Sequence, residues 1–262
     1  MTREQRGPRV FVSGLDEHLN STPGADLPLP PDSSHHIKDV LRLREGEPIE
    51  LADPSSGAVY RGEIKSLTGS VSVRVIESQA SSTTPSPRIT LFCALCKGQK
   101  NDLICDWATE LGTARIVFWQ ATRSIVRLHD TKDLRSKAAR LEKIALAAAQ
   151  QSRQTKPPAV IVTSTLSDAL AVTEEAGDIN PCKVLCSLSE GTVPIRAALS
   201  KWNDKAPIHI AIGPEGDLTL DEETLLSERG FMRVSLGESV LRSELAVVAA
   251  ILAARERSIR PE

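Results

Sequence analysis

The sequence predicts an α/β protein of two domains: a small, mostly β domain followed by a larger one built on a parallel sheet. Three features carry that expectation. Short alternating apolar segments run to Glu77, a polar stretch with two prolines follows from Gln79 to Arg88, and strands then alternate with helices to the end. With 262 residues, 40% of them apolar and 25% charged, the chain is long enough for two cores and too apolar to stay disordered.

The first domain is expected over residues 1–78. Its strands are Arg9–Val12, Pro48–Asp53, Ala58–Ile64 and Ser70–Glu77, with Pro54-Ser-Ser-Gly57 as a hairpin turn between the second and third. A helix capped by Ser33 or Ser34 and carrying His35, His36, Ile37, Val40 and Leu41 interrupts them. The two histidines read as cap or surface groups, and the size suits a compact barrel. Residues 79–88 lack apolar periodicity and form a linker.

From residue 89 the period alternates. Strand Ile89–Leu95 leads to a helix, Asn101–Leu111, with Leu103, Ile104, Trp107, Ala108 and Leu111 on one face and Gly112 as its stop. Strand Arg115–Trp119 and a helix striped by Leu134, Leu141, Ile144, Ala145 and Ala148 come next. Strand Ala159–Val162, helix Leu166–Val172, strand Lys183–Leu188 and helix Val193–Trp202 continue the pattern. Strand Ile208–Ile212, helix Asp221–Glu228, strand Phe231–Leu236 and helix Leu241–Arg255 complete it. Near-continuous apolar strands separated by helices indicate a parallel sheet covered on both faces, which binds ligands beyond the carboxyl ends of its strands.

Charge is uneven. The whole chain carries −2, but residues 89–160 hold 12 Lys and Arg against 6 Asp and Glu, whereas residues 161–262 hold 10 against 16. Local basic charge of this kind suits a polyanion. The five cysteines are Cys93, Cys96, Cys105, Cys182 and Cys186. Cys93 and Cys96, three apart in a strand, are expected on opposite faces, so neither a zinc site nor a disulfide is expected. The longest apolar run, Leu245–Ala254, is ten residues, against about 20 for a membrane span. The first residues lack a signal block, which predicts a cytoplasmic protein.

Two loops have the form of a ligand site. Ile212-Gly213-Pro214-Glu215-Gly216-Asp217 leaves a buried strand and enters a helix whose Thr219 and Glu222 form a capping box. Its glycines open the backbone to a ligand, yet the spacing is not that of a nucleotide-phosphate loop. Leu236-Gly237-Glu238-Ser239-Val240-Leu241-Arg242-Ser243-Glu244 likewise leaves a strand for a helix, with amides and carbonyls suited to a flat heterocycle and a charged pair at the helix start.

These segments together resemble a known family. IGPEGDLTLDE and VSLGESVLRSELA, with KGQKNDLICDWATELG, ATRSIVR and KIALAAAQQSRQTKPP upstream, are similar to the bacterial ribosomal RNA uridine-N3 methyltransferases of the SPOUT superfamily over nearly the whole chain. The resemblance implies a PUA-like RNA-binding β domain and a second domain with a deep trefoil knot. It also implies S-adenosylmethionine as cofactor, a homodimer, and 16S ribosomal RNA or the small subunit as partner. Carried onto this chain, the cofactor loops are Leu188 and Ser189; Ile212, Gly213, Pro214, Glu215 and Gly216; and Leu236, Gly237, Val240 and Leu241. The sequence departs from the family at Asp217, where Gly-Gly is usual, at Leu245 in place of a threonine, at Thr122 in place of a glutamate, and at Gln151-Ser152-Arg153, which lacks a glycine.

Methylation at N3 of uracil needs a proton acceptor and stabilisation of the uracil oxygens, and no metal. Glu215 or Glu244 is the expected acceptor, and Arg242 or Arg123 the expected stabiliser. Arg9, Arg42, Arg44, Lys97, Lys100, Arg127 and Arg153 are expected to contact RNA. The N3 edge is hidden in a paired base, so the target is unpaired or flipped out. The competing readings are a non-catalytic RNA-binding or ribosome-assembly factor, prompted by Asp217 and Leu245, and a related methyltransferase with another RNA target.

Overall fold

The computed structural model describes residues 7–15, 19, 26–79, 87–175, 177–203 and 205–256. They fall into two compact units: residues 1–83 with 149–157, and residues 84–148 with 158–262. Most of the expected linker lies outside the described residues.

In the smaller unit, β1 (Arg9–Phe11), β2 (Asp26–Pro28), β3 (Pro48–Ala52), β4 (Val59–Ser66) and β5 (Ser72–Gln79) form one sheet in the order β1-β3-β4-β5-β2. Only β1 and β3 run parallel. Ile49, Leu51, Ile64 and Val73 pack with Val10, Leu27 and Ile37 in its core. The β3–β4 turn forms as expected, tightened by the Asp53 carboxylate, which accepts from the Ser55 amide and hydroxyl. Asp26–Pro28 was not expected as a strand; three residues give too short an alternation to register.

Helix α1 (Pro31–His35), extended by one π-type turn through Val40, begins earlier than predicted. Its N-cap is Pro30 with no side-chain cap, so the expected Ser33 or Ser34 cap is not made. The fixed φ of Pro31 starts the helix without one. Ser34 is buried instead, donating to the Leu29 carbonyl and accepting from the Val71 amide. His35 is exposed and pairs with Asp39.

Segment 149–157, assigned to the second domain by the sequence, clusters with the small unit. Ala149 packs on Phe11, Ala52 and Val59. Glu50, 1% exposed, takes Arg9 at 2.9 Å and Arg153 at 2.8 Å. Arg153 stands at φ +58°, a left-handed conformation that costs a non-glycine residue about 1–2 kcal/mol. Its bonds to Glu50 and the Gly7 carbonyl offset that cost.

The larger unit is a seven-stranded, all-parallel sheet, as expected. In chain order its elements are β6 (Ile89–Ala94), α2 (Lys100–Glu110), β7 (Arg115–Trp119), α3 (Thr131–Gln151), β8 (Ala159–Thr163), α4 (Leu166–Glu175), β9 (Cys182–Cys186), β10 (Val193–Pro194), α5 (Ile195–Leu199), β11 (Ile208–Ile212), α6 (Leu220–Glu228), β12 (Met232–Ser235) and α7 (Ser243–Glu256). The strand order is β10-β12-β9-β11-β6-β7-β8. Every residue of β6 is buried, and its side chains alternate between two cores: Ile89, Leu91 and Cys93 face one, Phe92 and Ala94 the other. The expected helix from Val193 is shorter than predicted, because Val193 and Pro194 pair with β12 as an edge strand. Proline is tolerated at such an edge.

Cys93 and Cys96 correct a second expectation. The strand ends at Ala94, so the period-2 rule stops short of Cys96, and both thiols join the same core beside one another. None of the five cysteines forms a disulfide, and no group of three metal-ligating side chains occurs among the described residues.

Below the opposite, amino-terminal ends of the strands, the Asp178 side chain is 1% exposed and gathers Arg88, Arg115 and His209. His209 Nε2 lies 2.9 Å from the carboxylate, while its buried Nδ1 has no partner. This fits a neutral ring donating through Nε2, since a second N–H would be a buried orphan. Burial pushes the His209 pKa down against the raising effect of Asp178. Burial raises that of Asp178, but His209 and Arg88 outweigh it and hold it below the usual carboxylate value. Both shifts give stability that is lost on acidification. His209 contributes first as pH falls through its unfolded value of about 6.5, and Asp178 only below about 4. Thermal melts of the wild type should therefore drop between pH 7.5 and 5, and those of His209→Gln should be flatter; equal slopes would remove His209 from the effect.

Candidate active site

Three adjacent strands, β12, β9 and β11, end at the same edge of the sheet, and the loops that follow them converge. They enclose a cavity of about 290 Å³. The β9 loop contributes Ser187 and Leu188, the β11 loop Gly213, Pro214, Glu215 and Asp217, and the β12 loop Leu236, Gly237, Val240, Leu241 and Arg242, with Ile212 at the floor. The two loops singled out from sequence thus meet at one site.

Local chemistry fixes each loop. Gly237 has φ +134°, open to glycine and closed to other residues. Thr219 and Glu222 close the expected capping box. The other Glu222 oxygen accepts the Thr122 amide at 2.9 Å, tying the loop after β7 to the start of α6. Ser243 Oγ donates to the Gly213 carbonyl, linking the head of α7 to the β11 loop.

Gly216 does not line the cavity. A Cβ there would sit 3.2 Å from Arg123, whose guanidinium donates to the carbonyls of Gly216 and Leu218. Ser189 also stands back, its hydroxyl 3.0 Å from that of Ser187. Asp217 takes φ +61°, a left-handed conformation that Asp accepts more readily than most residues, and its carboxylate accepts the Leu218 amide. A Gly-to-Asp departure is therefore accommodated in this turn. Leu245 does not line the cavity and is 51% exposed.

Lys100, expected to contact RNA, stands at the cavity wall. Its Nζ is 2.9 Å from Glu215 and 3.6 Å from Glu244. Burial pushes the Glu215 pKa up, but Lys100 and the Lys97 amide hold it below the usual carboxylate value. The sequence hid this role because nothing in it shows β6 and β11 to be neighbours, and that pairing is what brings the head of α2 to the β11 loop. Arg242 lines the cavity, exposed, with no side-chain partner among the described residues.

Of the expected RNA contacts, Arg42, Arg44, Lys97 and Arg127 are exposed. Arg127 also donates to the carbonyls of Ala121 and Thr122. Arg9 and Arg153 are engaged by Glu50.

The chain thus combines a parallel sheet carrying a three-loop pocket at its carboxyl edge with a small mixed sheet, an architecture that leaves the class of protein to be set by its relatives. Residues 83–255 match the family model of an RNA methyltransferase domain, and residues 29–76 that of an RNA methyltransferase PUA domain. The ribosomal RNA small subunit methyltransferase E of Bacillus subtilis is 29% identical over 94% of both chains. That of Synechocystis is 31% identical over 83% of this chain and 68% of its own. Among solved structures, the Neisseria gonorrhoeae enzyme of that name, bound to S-adenosyl methionine, has a TM-score of 0.77 at 26% identity, over 95% of this chain and 96% of that one. A putative methyltransferase from Legionella pneumophila, also with bound cofactor, has a TM-score of 0.79 at 25% identity, over 96% and 98%. The chain belongs to the ribosomal RNA small subunit methyltransferase E family.

Proposed function

We propose that the protein transfers a methyl group from S-adenosylmethionine to N3 of a uridine in the RNA of the small ribosomal subunit, in the cytoplasm. The observation that carries this reading is the convergence of the three loops on one cavity. Its volume of about 290 Å³ falls just short of the usual range of ligand sites, which starts at about 300 Å³. Leu188, Ile212, Leu236, Val240 and Leu241 offer apolar walls for a heterocycle, and Glu215 offers a negative charge to a sulfonium. Bound there, the cofactor supplies an electrophilic methyl group.

The remaining work falls to the chain's own residues. Glu215 lines the cavity and Glu244 does not, which favours Glu215 as acceptor of the N3 proton. Once protonated it no longer repels the uracil anion. Arg242, free at the wall, stabilises charge on the uracil oxygens, and Arg123 holds the Gly216 turn in place. Arg42, Arg44, Lys97 and Arg127 meet phosphates, so RNA affinity should fall steeply with salt. The departures at Asp217 and Leu245 leave the cavity open, which removes the motive for a non-catalytic reading.

The test is to incubate the protein with labelled S-adenosylmethionine and small subunits from a strain lacking the enzyme, then to map the product nucleoside. N3-methyluridine is expected; any other methylated nucleoside, or none, rejects the assignment.

A homodimer is part of the same proposal. Leu245, Val248 and Leu252 form an outward stripe on α7 at helical spacing, with both leucines more than two-fifths exposed. Leu252→Asp should convert a dimer to a monomer in light scattering; an unchanged mass would move the interface elsewhere.

A further inference from the structure

The Lys100 ammonium stands between two carboxylates that are not equivalent. It is bonded to Glu215 at 2.9 Å and lies 3.6 Å from Glu244 Oε2, too far for a hydrogen bond. That Oε2 is buried and has no hydrogen-bond partner. Buried acceptors are nearly always satisfied, so an orphan one beside a flexible lysine marks a second seat for its ammonium. The move needed is at least about 0.7 Å, the difference between the two separations.

We propose that Lys100 is a positioning residue that shifts from Glu215 to Glu244 when RNA binds, and so frees Glu215 to take the N3 proton. This rests on the reading of Glu215 as proton acceptor. A carboxylate held by its lysine is a weak base, and one released from it is stronger. No net charge moves: the pair changes partners, and the proton passes from uracil N3 to a Glu215 oxygen as the N3 lone pair becomes available for the methyl group. The charged and titratable groups around Glu215 include Lys100 and Glu244, Asp217 and Arg242 on the same cavity wall, and two buried thiols, Cys93 near the end of β6 and Cys96 in the turn that follows.

A double-mutant cycle on single-turnover transfer to small subunits tests this, with cofactor binding by calorimetry and melting temperature as controls. Glu244→Gln weakens the second seat and should slow transfer roughly tenfold or more, with cofactor affinity unchanged. In a Lys100→Met background the same substitution should have no further effect, because Glu244 acts only through Lys100. Lys100→Met alone should move the acid limb of the rate profile to higher pH, which a purely structural role would not do. If Lys100→Met fails to fold, Lys100→Arg serves instead: its guanidinium can hold both carboxylates at once, leaving Glu215 occupied and transfer slow. Equal Glu244→Gln effects in both backgrounds, or a wild-type rate in Lys100→Arg, would overturn the proposal. Full activity of Glu215→Gln would overturn the proton-acceptor reading itself, and this inference with it.

Discussion

Arg242→Ala is expected to slow methyl transfer by at least about a hundredfold, the effect of removing one preorganised donor from a developing anion, while the melting temperature stays within a degree or two. The two halves of that expectation have separate grounds. Arg242 lines the cavity at the head of α7, and no other cavity-lining cation is free of a carboxylate, Lys100 being paired with Glu215. Its side chain is exposed and makes no hydrogen bond or ion pair among the described residues, so its loss breaks nothing in the fold. Single-turnover rates beside thermal melts separate the two. Near-normal turnover would remove Arg242 from the reaction, and a large fall in melting temperature would give it a structural role instead.

Glu50→Ala should have the largest effect on stability. Glu50 and Arg9 are almost fully buried, and Arg153 joins them from the segment that follows α3. Removing one member of a buried pair leaves the other charge uncompensated, which costs about 3–5 kcal/mol. Arg153 would also lose the contact that offsets its left-handed backbone. Urea unfolding followed by a probe in the small unit should show the midpoint falling well below that of the wild type. A shift under about 1 kcal/mol, the size typical of an exposed ion pair, would mean that water reaches the cluster.

The alternation of periods made the fold legible. Strands Arg115–Trp119 and Ile208–Ile212 were read residue for residue, because buried parallel strands are continuous apolar runs with sharp polar ends. What escaped was set by tertiary contact. Asp26–Pro28 is a strand only because β5 pairs with it, and segment 149–157 leaves its expected domain because Glu50 and a small apolar cluster draw it away. At the site, Ile212–Glu215 and Leu236–Arg242 announced themselves through glycines at strand ends. Leu188 came only through family resemblance. Lys100 was assigned to RNA on charge, and its place depends on β6 lying next to β11, a strand order no local pattern encodes.

Hydrogen exchange with and without S-adenosylmethionine tests the three-loop pocket most directly. New protection is expected in the cavity-lining parts of residues 187–188, 212–217 and 235–243, and little elsewhere in the larger unit. Saturating cofactor that protects none of these loops, or protects a different edge of the sheet, would contradict the account.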